Sequence, residues 1–418
     1  MTNTTFVCII CPTHGRVPDP GPFILHNGSV IVESSWPKPD RDAQKHSERL
    51  IAHLRLQIDA ADGWMSFADF MRETLYAPGL GYYSAGADKF GEAGDFITAP
   101  EISSLFGHCV AAQCAGILEH VGGDTIVEAG AGSGALAADI ISEFPPKKYR
   151  IVEVSADLRA RQQSRIKPED VAADVDWLNG PEEIDAFNGV IIGNEVIDAL
   201  PVERFRITAN GVDAVGVVWN GAAFSSITRP AEETLIAAVR EVEEQMGRSL
   251  PPGYCSEIRP QLAAFIAEWA SKLQRGAMIW IDYGCSRAEY YASDRDQGTL
   301  MCHYRHRAHD DPFMYPGLQD ITAWVDFSAL AQAGTSAGLT LSGYATQAHF
   351  LLGCGIDQRY DAMRREAEDE SRVLELNEQL RRLMMPGEMG ERFRVMALTS
   401  GLDHDLIGFS FRDLSATL

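Results

Sequence analysis

Asn194, Glu195 and Asp198 carry the sharpest chemical signal in the chain. They follow residues 189–193, a largely β-branched apolar run that reads as a buried strand, and in an open α/β sheet ligands bind at the carboxyl ends of strands. A carboxamide and two carboxylates placed there can hold a cationic group and take a proton from it. A guanidinium is the demanding case. It is essentially always protonated, so carboxylates are needed both to bind it and to accept the proton it releases as it becomes a nucleophile. The plain alternative makes Asp198 a helix cap and Glu195 a ribose or solvent contact.

A second signal lies in residues 125–136, TIVEAGAGSGAL. Ile126 and Val127 read as a buried parallel strand, Ala135 and Leu136 open a helix, and Gly130, Gly132 and Gly134 fill the turn between them. Glycine permits positive φ and a close approach of backbone to ligand, so strand, turn and helix N-terminus together form a nucleotide-type site. Two ligands fit. Gly130, Gly132 and Ala135 match a loose dinucleotide fingerprint, with Glu153 at the end of the next strand as a ribose-binding carboxylate. The same features fit S-adenosylmethionine, and the G-x-G-x-G spacing with Glu128 just before it favours that reading. No arginine or lysine near the turn offers itself to a pyrophosphate, which points the same way. Methyl transfer from a sulfonium is an in-line displacement that needs positioning and a place for the nucleophile's proton. Glu195 and Asp198 would supply that place. The alternative readings are an NAD-dependent oxidoreductase using the same turn and an assembly factor that keeps the cofactor pocket only for stability, without turnover.

Around these signals the chain alternates strands and helices, which predicts an α/β sheet with helices on both faces. Residues 1–42 lack periodicity and read as a flexible tail. Residues 46–58 have amphipathic helical spacing, and Ser66 with Asp69 caps a helix over residues 67–76. A glycine-rich aromatic loop over residues 82–101 stands directly before the glycine-turn strand, where it could fold over a ligand. One long helix is expected over residues 102–120. Further strands are expected near residues 149–154, 175–178, 276–284 and 393–398, with another beginning at Leu339. A hairpin is expected over residues 205–227, which alternate apolar and polar residues around Asn210-Gly211 and Asn220-Gly221. Two helices then flank Pro251-Pro252-Gly253, a polar excursion covers residues 285–320, a helix starts at Phe327, and one more occupies residues 357–385. Residues 43–120 therefore form an N-terminal helical segment with a covering loop, and 121–418 a core with insertions at about 203–275 and 285–320.

Composition narrows the partners. Against 36 Lys and Arg stand 59 Asp and Glu, a formal net charge of -23 that disfavours phosphate backbones and suits a basic partner. No apolar run reaches membrane-spanning length. The eight cysteines are scattered through apolar runs and read as reduced thiols of an intracellular protein, and the Cys8–Cys11 pair has no second pair to complete a zinc site. His303, His306 and His309 recur at three-residue spacing, but Arg305 and Arg307 between them oppose a metal cation, so a substrate-side or structural loop is expected there.

Several motifs in one order, GDFITAPEIS at 94–103, EAGAGSG at 128–134, NEVIDALPV at 194–202, DYG at 282–284 and DITAWVDF at 320–327, make residues 45–415 resemble the MidA family of methyltransferases. The resemblance implies a class I, Rossmann-like seven-stranded S-adenosylmethionine-dependent fold. It implies that GDFITAPEIS, with Asp95, Thr98, Pro100 and Glu101, packs over the cofactor, that Glu128, Gly130, Gly132 and Gly134 line its methionine half, and that Glu153 holds its ribose. Mitochondrial members are complex I assembly factors that methylate an arginine of a complex I subunit, so the resemblance implies a protein substrate. It also implies a bacterial cytoplasmic or mitochondrial matrix location.

Overall fold

The computed structural model describes residues 36–85 and 97–418. Most of the expected tail, Cys8, Cys11 and Asp95 lie outside the described residues.

The centre of the molecule is a sheet with a continuous path of seven strands, to which the short Val325–Asp326 is added off the path in parallel with Leu273–Cys285. In chain order the strands of the path are Thr125–Ala129, Lys148–Val152, Asp174–Leu178, Phe187–Asn194, Leu273–Cys285, Thr340–Thr346 and Phe393–Ser400. In space they run 3-2-1-4-5-7-6, with the last strand antiparallel to both neighbours and the pairs through the first five parallel. The order reverses between the first and fourth strands. A crevice therefore opens beyond their carboxyl ends, where the glycine turn and Asn194 stand.

Both faces of this sheet are covered, which is why its central strands read as continuous apolar runs. Val190 and Ile192 pack with Leu105, Phe106, Leu136 and Ile140 of the helices Ser104–Val121 and Ala135–Glu143. Ile191, pointing the other way, packs with Ile266 and Leu330 of Leu262–Ala270 and Phe327–Ser336.

Several local expectations need correction. The helix expected over residues 102–120 is two helices, Ala99–Ile102 and Ser104–Val121, broken where Ser103 is extended and its hydroxyl accepts the Leu105 N–H. The hairpin over residues 205–227 is three strands, Glu203–Thr208, Gly211–Trp219 and Phe224–Pro230, because both Asn-Gly pairs form turns. Met65–Ser66 and Cys255–Ile258 extend these into a five-stranded sheet, so the N-terminal segment supplies a strand as well as helices. The polar excursion holds the strands Met301–Tyr304 and Arg307–His309, which form a small sheet with Asp320–Thr322. The helix expected over residues 357–385 divides into Ile356–Glu366 and Glu370–Met384, where the Asp369 carboxylate caps the second by accepting the Arg372 N–H at 2.8 Å. The amphipathic helix over 46–58 runs longer, Arg41–Ala60, from an Asp40 cap.

Candidate functional site

The glycine turn joins the first strand of the large sheet to the helix Ala135–Glu143. Gly130, Gly132 and Gly134 have φ of 63°, 54° and 80°, values that L side chains rarely adopt. The helix opens without a side-chain cap, which leaves its first N–H groups to face a ligand. Gln162, on the helix Ala156–Ile166, ties the turn down: its amide donates to the Gly132 carbonyl at 2.9 Å and to Glu153 Oε2 at 3.1 Å. Its own carbonyl accepts the Trp177 indole N–H at 2.8 Å.

One cavity collects most of the expected site residues: Thr98, Pro100, Glu128, Gly130, Gly132, Glu153, Asn194 and Glu195 line it together. Gly134, Glu101 and Asp198 stand beside it without lining it. Glu101 reaches over the turn, accepting from Arg165 Nη1 at 2.7 Å and contacting the Ser133 hydroxyl, to which Arg165 also donates at 2.6 Å. An arginine thus does approach the glycine turn, contrary to the expectation from sequence, but Glu101 engages it. Asp198 is buried, and its Oδ1 accepts the Ala199 N–H at 2.8 Å.

The carboxylates are perturbed by their surroundings. Burial pushes Glu128 up to about 7 even though the Tyr149 hydroxyl donates to it at 2.6 Å. Burial also raises Glu153, against the donated N–H of Ser155 at 2.9 Å and the Gln162 amide. Glu195 is pushed up to about 8, first by burial and then by Asp198, with the Asn194 amide, 3.1 Å away, opposing. Asp198 and Asp282 are raised by burial, with Arg259 opposing in each. Such clustered perturbation marks functional sites.

The segment carrying Glu195 is held in an unusual shape. Glu195 has φ of 53°, its N–H donates to Ile281 at 2.8 Å, and Asp282 Oδ2 accepts the N–H groups of Ile197 and Asp198 at 3.0 and 3.1 Å. Arg259 donates to the carbonyls of Asp198, Ala323 and Trp324 at 3.0, 2.5 and 2.6 Å. Sequence reading passed over Gln162, Arg165, Arg259, Tyr76 and Tyr83 as site residues. Asp282 carried a signal, since it ends an apolar strand run just as Asn194 does. His303 lies in a strand whose register places it opposite Asp320, and among the described residues no group of three His, Cys, Asp or Glu could hold a metal ion.

The cavity fits S-adenosylmethionine on its own evidence. It opens at the sheet's switch point, meets three glycines at positive φ and an uncapped helix N-terminus, and presents Glu153 at the end of the second strand. The reversed seventh strand departs from the dinucleotide-binding strand order 3-2-1-4-5-6.

Comparison with known proteins agrees. Residues 109–345 match the family profile of S-adenosyl-L-methionine-dependent methyltransferases designated Methyltransf_28. A Burkholderia thailandensis structure solved with S-adenosylhomocysteine is 42% identical, with a TM-score of 0.86, covering 92% of this chain and 100% of that one. The mitochondrial protein arginine methyltransferase NDUFAF7 of Danio rerio is 29% identical over 416 residues, 90% of this chain and 92% of its own. The human protein of the same name is 28% identical over 381 residues, 84% of this chain and 83% of its own. With its fold, its cavity and these relatives in agreement, the chain belongs to the MidA-like family of S-adenosylmethionine-dependent methyltransferases.

Proposed function

We propose that this methyltransferase acts on a protein, and that the acceptor is an arginine side chain. One observation carries the reading: Glu195, pushed up to about 8 by burial, lines the cofactor cavity with no cation of the described residues paired to it, beside a buried Asn194 Oδ1 that has no hydrogen-bond partner among them. A half-buried carboxyl without a counter-charge and an orphaned acceptor together call for a protonated ligand rich in N–H donors, and a guanidinium carries five. The names of the mitochondrial relatives support the same acceptor, and the family resemblance suggests a respiratory complex I subunit as the substrate.

Bound in the cavity, S-adenosylmethionine supplies an electrophilic sulfonium methyl. Thr98, Pro100, Glu128, the glycine turn and Glu153 would hold it, leaving Asn194 and Glu195 on the same cavity for the acceptor. An arriving guanidinium ionises Glu195, since an adjacent positive charge offsets the penalty of burial. Glu195 then orients the attacking nitrogen and accepts the proton that nitrogen loses as it gains the methyl. Asn194 Oδ1 accepts a further N–H, and Asp198 adds negative potential from behind the cavity wall. Glu195→Gln keeps the shape and removes the proton acceptor, so it should abolish transfer while S-adenosylhomocysteine binds as in wild type. Undiminished turnover by that variant would refute the assignment.

A further inference from the structure

Two rings that no sequence motif marks, Tyr76 and Tyr83, line the same cavity as Asn194 and Glu195. Tyr76 closes the helix Phe67–Tyr76, and Tyr83 follows after a short turn that returns the chain beside it. The rings stack with centroids 5.5 Å apart and planes inclined by 21°. Both hydroxyls are engaged elsewhere: Tyr76 donates to the Ala199 carbonyl at 3.0 Å and Tyr83 to Asp320 Oδ1 at 3.0 Å. Burial holds both phenols far above their ordinary range, so they stay neutral. The charged groups within electrostatic reach of Tyr76 are Asp320, Asp198, Glu153 and Arg259, three carboxylates against one cation.

We propose that Tyr76 and Tyr83, with Asp320 as the positioning residue that tethers the second ring, form the acceptor-recognition wall of this cavity and select a guanidinium over an ammonium. This rests on the arginine reading above and names the residues that would enforce it. A guanidinium is planar and weakly hydrated, so its face can lie against an aromatic ring while its in-plane N–H fork reaches carboxylates. Glu195 and Asn194 line the same cavity, a carboxylate and a carboxamide for that fork to meet. An ammonium is a compact, strongly hydrated point charge with no flat face, and it gives up more hydration to enter here. Asp320 holds Tyr83 from the strand Asp320–Thr322, which the sequence marked only as part of a longer motif.

The test uses the full chain saturated with S-adenosylhomocysteine and titrated calorimetrically with Gly-Arg-Gly and Gly-Lys-Gly peptides. Wild type should bind the arginine peptide at least about tenfold more tightly. Tyr83→Leu should lose that preference with its S-adenosylhomocysteine affinity unchanged, and Asp320→Asn should weaken it. Tyr83→Phe, which keeps the ring, should retain most of it. Should Tyr83→Leu lose S-adenosylhomocysteine binding and hence its fold, Tyr76→Met is read in the same way. An arginine preference that survives loss of either ring overturns the wall and leaves the arginine reading standing. Equal binding of the two peptides by wild type overturns the wall, and the labelled product of wild-type turnover then decides the arginine reading separately.

Discussion

Replacing Asp282 with alanine should destabilise the protein and disable transfer together, because this carboxylate holds the turn that presents Glu195. Asp282 is 1% exposed, and its Oδ2 accepts the buried N–H groups of Ile197 and Asp198. Each buried donor left without a partner costs about 1–3 kcal/mol, so the two together cost about 2–6 kcal/mol. That is a large share of the roughly 5–15 kcal/mol by which a folded protein is stable. With about 2.1 cal/mol/K of unfolding entropy per residue over 418 residues, Tm should fall by about 2–7 °C. The left-handed backbone of Glu195 adds to the demand for this anchor, since a non-glycine residue there is held about 1–2 kcal/mol above its relaxed state. Asp282→Asn retains a carbonyl oxygen for both N–H groups, so its Tm should fall less. Calorimetric melting and radiolabelled methyl transfer read the two effects. An alanine variant that melts with wild type and turns over normally would show that Asp282 does not hold this segment.

Three further outcomes are expected. Burial pushes Glu128, Asp139 and Glu195 up to about 7, 7 and 8 from ordinary values of 4.5, 3.8 and 4.5, so the folded state keeps protons that the unfolded chain releases. The stability these groups contribute is present below their ordinary values and lost as pH rises through 7 to 8, so the urea midpoint of cofactor-free protein should be lower at about pH 8.5 than at about pH 6; equal midpoints would contradict this. Gln162→Leu strands the Gly132 carbonyl and the Trp177 indole and frees Glu153, so the Kd for S-adenosylhomocysteine should rise by about tenfold or more in calorimetry. Arg165→Ala removes the partner of Glu101 above the glycine turn, and stopped-flow dissociation of S-adenosylhomocysteine should quicken by about 3- to 10-fold, with an unchanged rate counting against a clasp.

What the sequence showed best was local. The strand, glycine turn and helix at residues 125–136 are specified by residues in contact along the chain, and Asn194 and Glu195 were found because an apolar run ends abruptly in polar residues. Glu153 was legible for the same reason. Asp198 was legible as a polar residue but not as one turned into the protein, since its burial depends on Asp282 and Arg259, 84 and 61 residues away in sequence. Tyr76 read as an ordinary helix-end aromatic, and Tyr83 was legible only as part of the aromatic loop over residues 82–101. Their role appears only when the turn between them brings them together at a cavity walled by several other segments, with their hydroxyls bonded to Ala199 and Asp320, 123 and 237 residues away. Gln162 and Arg165 sit on a helix whose polar composition looks like a solvated face, and only the closing of the sheet aims them at the glycine turn. The break at Ser103 escaped periodicity because apolar spacing continues across it, while the extended serine that makes it is a matter of capping. The reversed seventh strand likewise leaves no mark on period or composition.

The most direct test of the account is to incubate the purified protein with radiolabelled S-adenosylmethionine and an extract of source cells lacking this gene, and then to identify the labelled residue by mass spectrometry. The account predicts a methylated arginine in a protein of that extract, with the label absent when Glu195→Gln replaces wild type. Label on a lysine or on a small molecule, or label that persists with Glu195→Gln, would contradict it.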